Sequence, residues 1–189
     1  MIDHPEIRDA IRRALEEDIG TGDVTTEACV PADQMASGRF LAKERQVIAG
    51  LELLPLIYGE RGMMEELLPL KTSGQFVEAG ETLALVRGRA RTLLECERVA
   101  LNFLQRLSGI ATLARQFADH VAGTNCRVLD TRKTTPGLRR LEKMAAAAGG
   151  VTNHRMGLYD AVLIKNNHIA AAGGVRNAIE RMRATGRGE

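Results

Sequence analysis

Thr131, Arg132 and Lys133, then His154 and Arg155, then Lys165 and His168 are the side chains of this sequence best equipped for chemistry. They fall in three short blocks, Leu129–Gly137, Thr152–Leu158 and Leu163–His168. An arginine grips a carboxylate or phosphate through two parallel N–H donors, whereas a lysine supplies a compact point charge. Thr134 and Thr135 add hydroxyls just ahead of Pro136 and a predicted helix, whose N-terminus would itself favour an anion. If the blocks converge, they suit a small, multiply anionic substrate that is phosphorylated or carboxylated. The charge pattern agrees. From Arg127 to His168, eight Lys or Arg against three acids leave +5, while 18 basic and 21 acidic residues elsewhere leave −3.

Elements must position these blocks. Arg127–Asp130 reads as a short strand, Leu138–Ala148 as a helix stopped by Gly149 and Gly150, and Asp160–Lys165 as a second strand. Val175–Ala184 reads as a further helix. Strand, helix, strand, helix is the signature of a parallel α/β layer or barrel, in which ligands sit beyond the C-terminal strand ends. Thr131–Lys133 and Lys165 occupy those ends. Lys165 follows four apolar residues and is expected to be partly enclosed, and His168 has the placing of a group that caps a helix or bonds backbone.

The first half is organised differently. Asp3, Pro5 and Glu6 predict a capped helix start, and Ile7, Ile11 and Leu15 recur at helical spacing over residues 4–18. A glycine-punctuated loop follows at Ile19–Asp23. Residues 36–43 and 45–49 read as strands, and Gly50–Tyr58 as a short helix. Residues 74–88 have the spacing of a hairpin, similar to half of a lipoyl or biotinyl carrier domain. A carrier needs a lysine at the hairpin tip, and none lies between Gly74 and Val86. Ala90–His120 is a long helical region with Leu94, Leu101, Leu104 and Ala111 on one face, and Ser108-Gly109 predicts a break or kink.

Several function classes are disfavoured. Aromatic residues make up 3% of the 189 residues, with no Trp, which argues against stacking platforms for nucleic acid. The net charge of +2 gives no global field to recruit DNA or a membrane. No run approaches the 18 or so apolar residues of a membrane span, and the first residues lack the apolar core of a signal peptide. Cys29, Cys96 and Cys126 are odd in number and too far apart for a CxxC site, so reduced thiols in a cytoplasmic protein are expected.

Six blocks in order give the chain its resemblance: Glu17–Thr26, Glu97–Asn102, Leu107–Thr112, Asp130–Arg139, Asn153–Leu158 and Leu163–His168. From end to end it resembles the quinolinate phosphoribosyltransferase family, the carboxylating nicotinate-nucleotide pyrophosphorylases. The resemblance implies an N-terminal α+β, hammerhead-like domain with its linking helix over residues 1–103. It implies the first part of an incomplete TIM-like α/β barrel over residues 104–189. The implied reaction converts quinolinate and phosphoribosyl pyrophosphate to nicotinate mononucleotide, pyrophosphate and carbon dioxide, with Mg2+. Substrate-binding residues carried over by the resemblance are Arg98, Thr131, Arg132, Lys133, His154, Arg155 and Lys165, with Lys133 and Lys165 in the catalytic role. Arg98 would reach into a partner subunit's site, implying a homodimer or higher oligomer with shared active sites.

Two departures from the family pattern set further expectations. Val151 stands third in a glycine triplet, and a β-branched residue resists positive φ, so a reshaped turn is expected. The family also carries later acidic strand ends for Mg2+ and ribose, and a Ser-Gly-Gly-type loop for the 5-phosphate. These motifs are missing from the 189 residues, so no metal ligand is assigned and a fragment or an inactive paralogue is expected. The alternatives are a non-catalytic dimerisation subunit, the molybdenum-transport-associated homologue or a nicotinate phosphoribosyltransferase. Two carboxylates need more cations than one, which favours quinolinate.

Overall fold

The computed structural model describes residues 2–62 and 64–186. Helix α1 spans Pro5–Ile19 and buries Ile7, Ala10, Ile11 and Leu15, the stripe its spacing predicts. Its N-cap is His4, whose Nδ1 accepts from the Glu6 N–H at 3.2 Å. The expected cap, Asp3, is instead drawn to Arg8 Nε at 2.5 Å, since a charged partner one turn along outbids a backbone donor. A second helix, α2 (Val24–Cys29), follows the Ile19–Asp23 loop in a stretch where no element was expected. Asp23 makes it possible, accepting from the Thr25 and Thr26 N–H groups at 3.1 and 3.0 Å.

Strands β1 (Met35–Leu41), β3 (Met64–Pro69) and β5 (Thr82–Arg89) form an antiparallel sheet in the order β1-β5-β3. Strand β2 (Gln46–Val47) pairs separately with β4 (Phe76–Val77). The short helix expected after Gly50 is a 3-10 turn, Leu51–Leu53, continued by α3 (Leu54–Gly59). The predicted 74–88 hairpin does not form, because β4 and β5 belong to different sheets. Between them, Gly80 N–H donates to Ala42 O at 2.8 Å and Ala42 N–H to Glu81 O at 3.0 Å. The turn is thus paired to the far end of β1, and Gly80 supplies the φ of +87° that this needs.

Helix α4 runs unbroken from Ala90 to His120, so the predicted break at Ser108-Gly109 is absent. The polar residues there serve tertiary contacts. Ser108 is buried and its hydroxyl accepts from the Ala49 N–H at 3.1 Å. One turn on, the Thr112 hydroxyl accepts from the Val47 N–H at 2.9 Å and donates to Ser108 O at 2.7 Å. The buried stripe is Val99, Ala100, Phe103, Leu104, Leu107 and Ala111, whereas Leu94, expected on it, is exposed. Among the described residues no helix is long and apolar enough to cross a membrane.

The chain separates into two compact units, Met1–His154 and Arg155–Glu189. In the first, the predicted 127–130 strand is reduced to one parallel bridge, Leu129 with Thr152. Helix α5 (Arg139–Ala148) follows the Thr131–Gly137 loop and buries Leu141, Lys143 and Ala145. At its end Gly150 takes φ +94°, and among the described residues none other than glycine has positive φ. Val151 is therefore accommodated without left-handed backbone. In the second unit, residues 160–165 form no strand, because an extended segment without a ladder partner stays irregular. Helix α6 (Asn166–Ala172), absent from the sequence reading, and α7 (Val175–Ala184) follow, and neither buries a residue. The mixed α/β class is the one expected.

Candidate anion-binding site

Asp130 is the hub of the site in the first unit. It ends the bridged segment, and its own N–H donates to Thr152 O at 3.1 Å. Its Oδ1 accepts from Lys143 Nζ at 2.5 Å and from the His154 N–H at 2.7 Å. Oriented by its partners, the Asn153 amide donates to Asp130 Oδ2 at 2.7 Å and to Lys143 O at 2.9 Å. These bonds bring the Asp130–Thr131 junction beside His154. They also make the start of one cationic block and the middle of another a single assembly.

Thr131–Lys133 leave this hub as a loop. The Thr131 hydroxyl accepts from the Lys133 N–H at 3.1 Å, closing a tight local turn. Lys133 is exposed, whereas Arg132 is half-buried and its Nε is shielded from solvent with no hydrogen-bond partner. A buried guanidinium N–H without an acceptor is unfavourable, and a carboxylate or phosphate would satisfy it. The Thr134 and Thr135 hydroxyls already accept from arginines of the same unit. Arg139 Nε donates to the Thr134 hydroxyl at 3.1 Å, and Arg106 donates to the Thr135 hydroxyl. Glu142 Oε2 accepts from the Thr135 N–H at 3.1 Å, and its Oε1 pairs with Arg106. The start of α5 thus carries its own anion. Burial works to raise the Glu142 pKa, but hydrogen bonds from Arg106 and Thr135 hold it below the usual carboxylate value. Arg98 is exposed on α4.

In the second unit, Arg155 donates to Ala161 O at 2.9 Å. Asp160 accepts from the Gly157 and Met156 N–H groups at 2.9 and 2.6 Å, which lower its pKa and tie the 156–160 loop. Lys165 is exposed, not partly enclosed, because the apolar run before it builds no strand. His168 acts as a cap: its Nδ1 accepts from the Lys165 N–H at 2.9 Å at the start of α6. A cleft of about 760 Å³ is lined by Leu158, Val162, Ile164, His168, Arg181 and Met182 among others, without Arg155 or Lys165. Among the described residues, no group of three or more His, Cys, Asp or Glu side chains could hold a metal ion. The described residues therefore do not fit Mg2+ by themselves.

Lys143 and Asn153 were missed by the sequence reading. A lysine in an alanine-rich helix and an asparagine beside His154 give no local sign that both converge on Asp130.

Two family models match in sequence order. The N-terminal domain of quinolinate phosphoribosyl transferase matches residues 23–108, and the C-terminal domain matches residues 110–187. The chain belongs to the quinolinate phosphoribosyltransferase family. It is 44% identical over 180 residues to the chloroplastic nicotinate-nucleotide pyrophosphorylase [carboxylating] of Arabidopsis thaliana, covering 94% of this chain and 51% of that one. The Mycobacterium leprae nicotinate-nucleotide pyrophosphorylase is also 44% identical, over 94% and 63% of the two chains. NadC from Streptococcus pyogenes superposes with a TM-score of 0.90 at 38% identity, covering 96% of this chain and 64% of that structure. The Francisella tularensis nicotinate-nucleotide pyrophosphorylase gives a TM-score of 0.89 at 33% identity. The chain spans about half the length of the first plant relatives it matches.

Proposed function

We propose that this chain contributes the carboxylate-binding part of a quinolinate phosphoribosyltransferase. The observation that carries the reading is the Thr131–Lys133 loop, with Arg132 Nε shielded and unpaired beside an exposed Lys133. In the first unit Arg98, Thr131, Arg132, Lys133 and His154 would serve the substrate; in the second, Arg155 and Lys165 are the candidates that the family resemblance adds. In the reaction the pyridine nitrogen bonds to C1 of the ribose as pyrophosphate departs with its electron pair. Positive charge develops on the sugar and then on the ring nitrogen. The cationic ring draws electrons from the adjacent carbon, so the 2-carboxylate leaves as carbon dioxide and a proton replaces it. Binding two carboxylates and a pyrophosphate is work for fixed cations, and holding both reactants in line supplies much of the acceleration. Lys133 and Lys165 would act as point charges on the reacting anions. Mg2+ would enter only as a companion of the co-substrate's pyrophosphate oxygens.

A shared site in a homodimer, with Arg98 serving the partner, belongs to the same reading. Exposed Leu94, Leu113 and Phe117 on α4 support association. A cytoplasmic setting is supported by the three unpaired cysteines, in a chain whose plant relatives are named chloroplastic and mitochondrial. The test is calorimetric titration of quinolinate, beside turnover to nicotinate mononucleotide. Lys133→Ala should weaken binding by about 1.5–3 kcal/mol, the scale of a charged hydrogen bond, without changing the melting temperature. Equal affinity in the variant would remove Lys133 from the site.

A further inference from the structure

Among the described residues Lys143 is the largest fully buried side chain, 1% exposed, and it belongs to no binding role proposed for the cations. A buried ion pair is a weak source of stability, because removing both charges from water offsets much of their attraction. An apolar residue of similar length would fill the same space. The position of the ammonium is informative. It bonds Asp130 Oδ1 at 2.5 Å and His154 O at 2.9 Å, while the same Oδ1 accepts from the His154 N–H at 2.7 Å. Both backbone polar groups of His154 are therefore held, one by the carboxylate and one by the lysine. Asn153 braces the pair from the other side through Asp130 Oδ2 and Lys143 O. Only one backbone bridge, Leu129 with Thr152, joins these two segments, so side chains set their spacing beyond it.

We propose that Lys143 is a positioning residue, which locks the Asp130–Lys133 loop and His154 at a fixed separation so that they meet one anionic substrate together. This rests on the functional reading above. The charge pair is directional where an apolar contact is not, because sliding either segment by one residue would separate His154 from both partners. Thr131, Arg132 and Lys133 follow Asp130 directly, so a shift there moves the whole cationic loop.

The test compares wild type with Lys143→Met, Asn153→Ala and Lys133→Ala, by quinolinate calorimetry and by the amide proton shift of His154 in NMR. Each variant is first checked for folding by circular dichroism. In folded Lys143→Met, the His154 amide should move and quinolinate affinity should fall about tenfold, as expected when a binding group is displaced by a fraction of an ångström. Lys133→Ala should weaken binding with the His154 amide unmoved. If Lys143→Met does not fold, Asn153→Ala decides the matter by affinity alone: it removes one exposed brace and should lower affinity about threefold. Wild-type affinity in whichever variant decides, or an unmoved His154 amide in folded Lys143→Met, overturns the positioning role and leaves the functional reading standing. A wild-type chain that binds no quinolinate overturns that reading, and this inference with it.

Discussion

Glu142→Gln tests the electrostatic account of the loop that carries the candidate cations. Glu142 is 11% exposed in its side chain and closes the segment through the Thr135 N–H and the Arg106 guanidinium. Glutamine keeps the shape and one acceptor but loses the charge. Bonds to a charged group contribute about 1.5–3 kcal/mol and neutral ones about 0.5–1.5. Arg106 is 48% exposed, so solvent screens its share. The expected loss at neutral pH is then roughly 1–2 kcal/mol, or a few degrees in melting temperature for a chain of this size. The pH dependence has a definite sign. The folded-state pKa of Glu142 is lowered from 4.5, so its contribution is complete above the unfolded value. That contribution disappears as pH falls through the lower, folded value. Urea denaturation followed by circular dichroism should show wild type more stable at about pH 7, with the gap narrowing below about pH 4. A gap of the same size at both pH values, or none at neutral pH, would refute this account.

Two further outcomes follow from packing. A Cβ at Gly149 would lie 2.3 Å from Ala111 O and 2.7 Å from Ala114 Cβ, both on α4. Gly149→Ala should therefore destabilise the first unit by about 1–3 kcal/mol, read as a lowered urea midpoint. Burial pushes the Cys96 thiol up to about 12, and its residue is 0% exposed, whereas Cys29 and Cys126 are exposed. In native protein a thiol reagent should label Cys29 and Cys126 quickly and Cys96 only on unfolding, as mass spectrometry of the labelled peptides would show.

Much of the fold was legible because it rests on local rules. The i, i+4, i+8 spacing of Ile7, Ile11 and Leu15 predicted α1, and the glycine pairs bounded α5 and preceded α7. The errors arose where a local signal had a distant use. Ser108-Gly109 looks like a helix breaker, yet Ser108 is spent on the backbone of Ala49, 59 residues away in sequence. The 74–88 spacing looks like a hairpin, yet each strand has a better partner elsewhere. Asp160–Lys165 has the composition of a strand but joins no ladder, so its lysine is exposed.

By itself, the sequence determined the family and the mixed α/β class, because these reside in residue identity, order and spacing. Tertiary structure alone decided which polar groups remain open to a ligand. His168 Nδ1 is taken up by the Lys165 N–H and the Thr134 and Thr135 hydroxyls accept from arginines, while Arg132 Nε is left without a partner. It also decided that Asp130, Lys143 and Asn153 are one assembly that grips the backbone of His154. Hydrogen bonds form between atoms a few ångströms apart, and residues 13 to 24 positions away reach that distance only once the helix has folded back over the bridge.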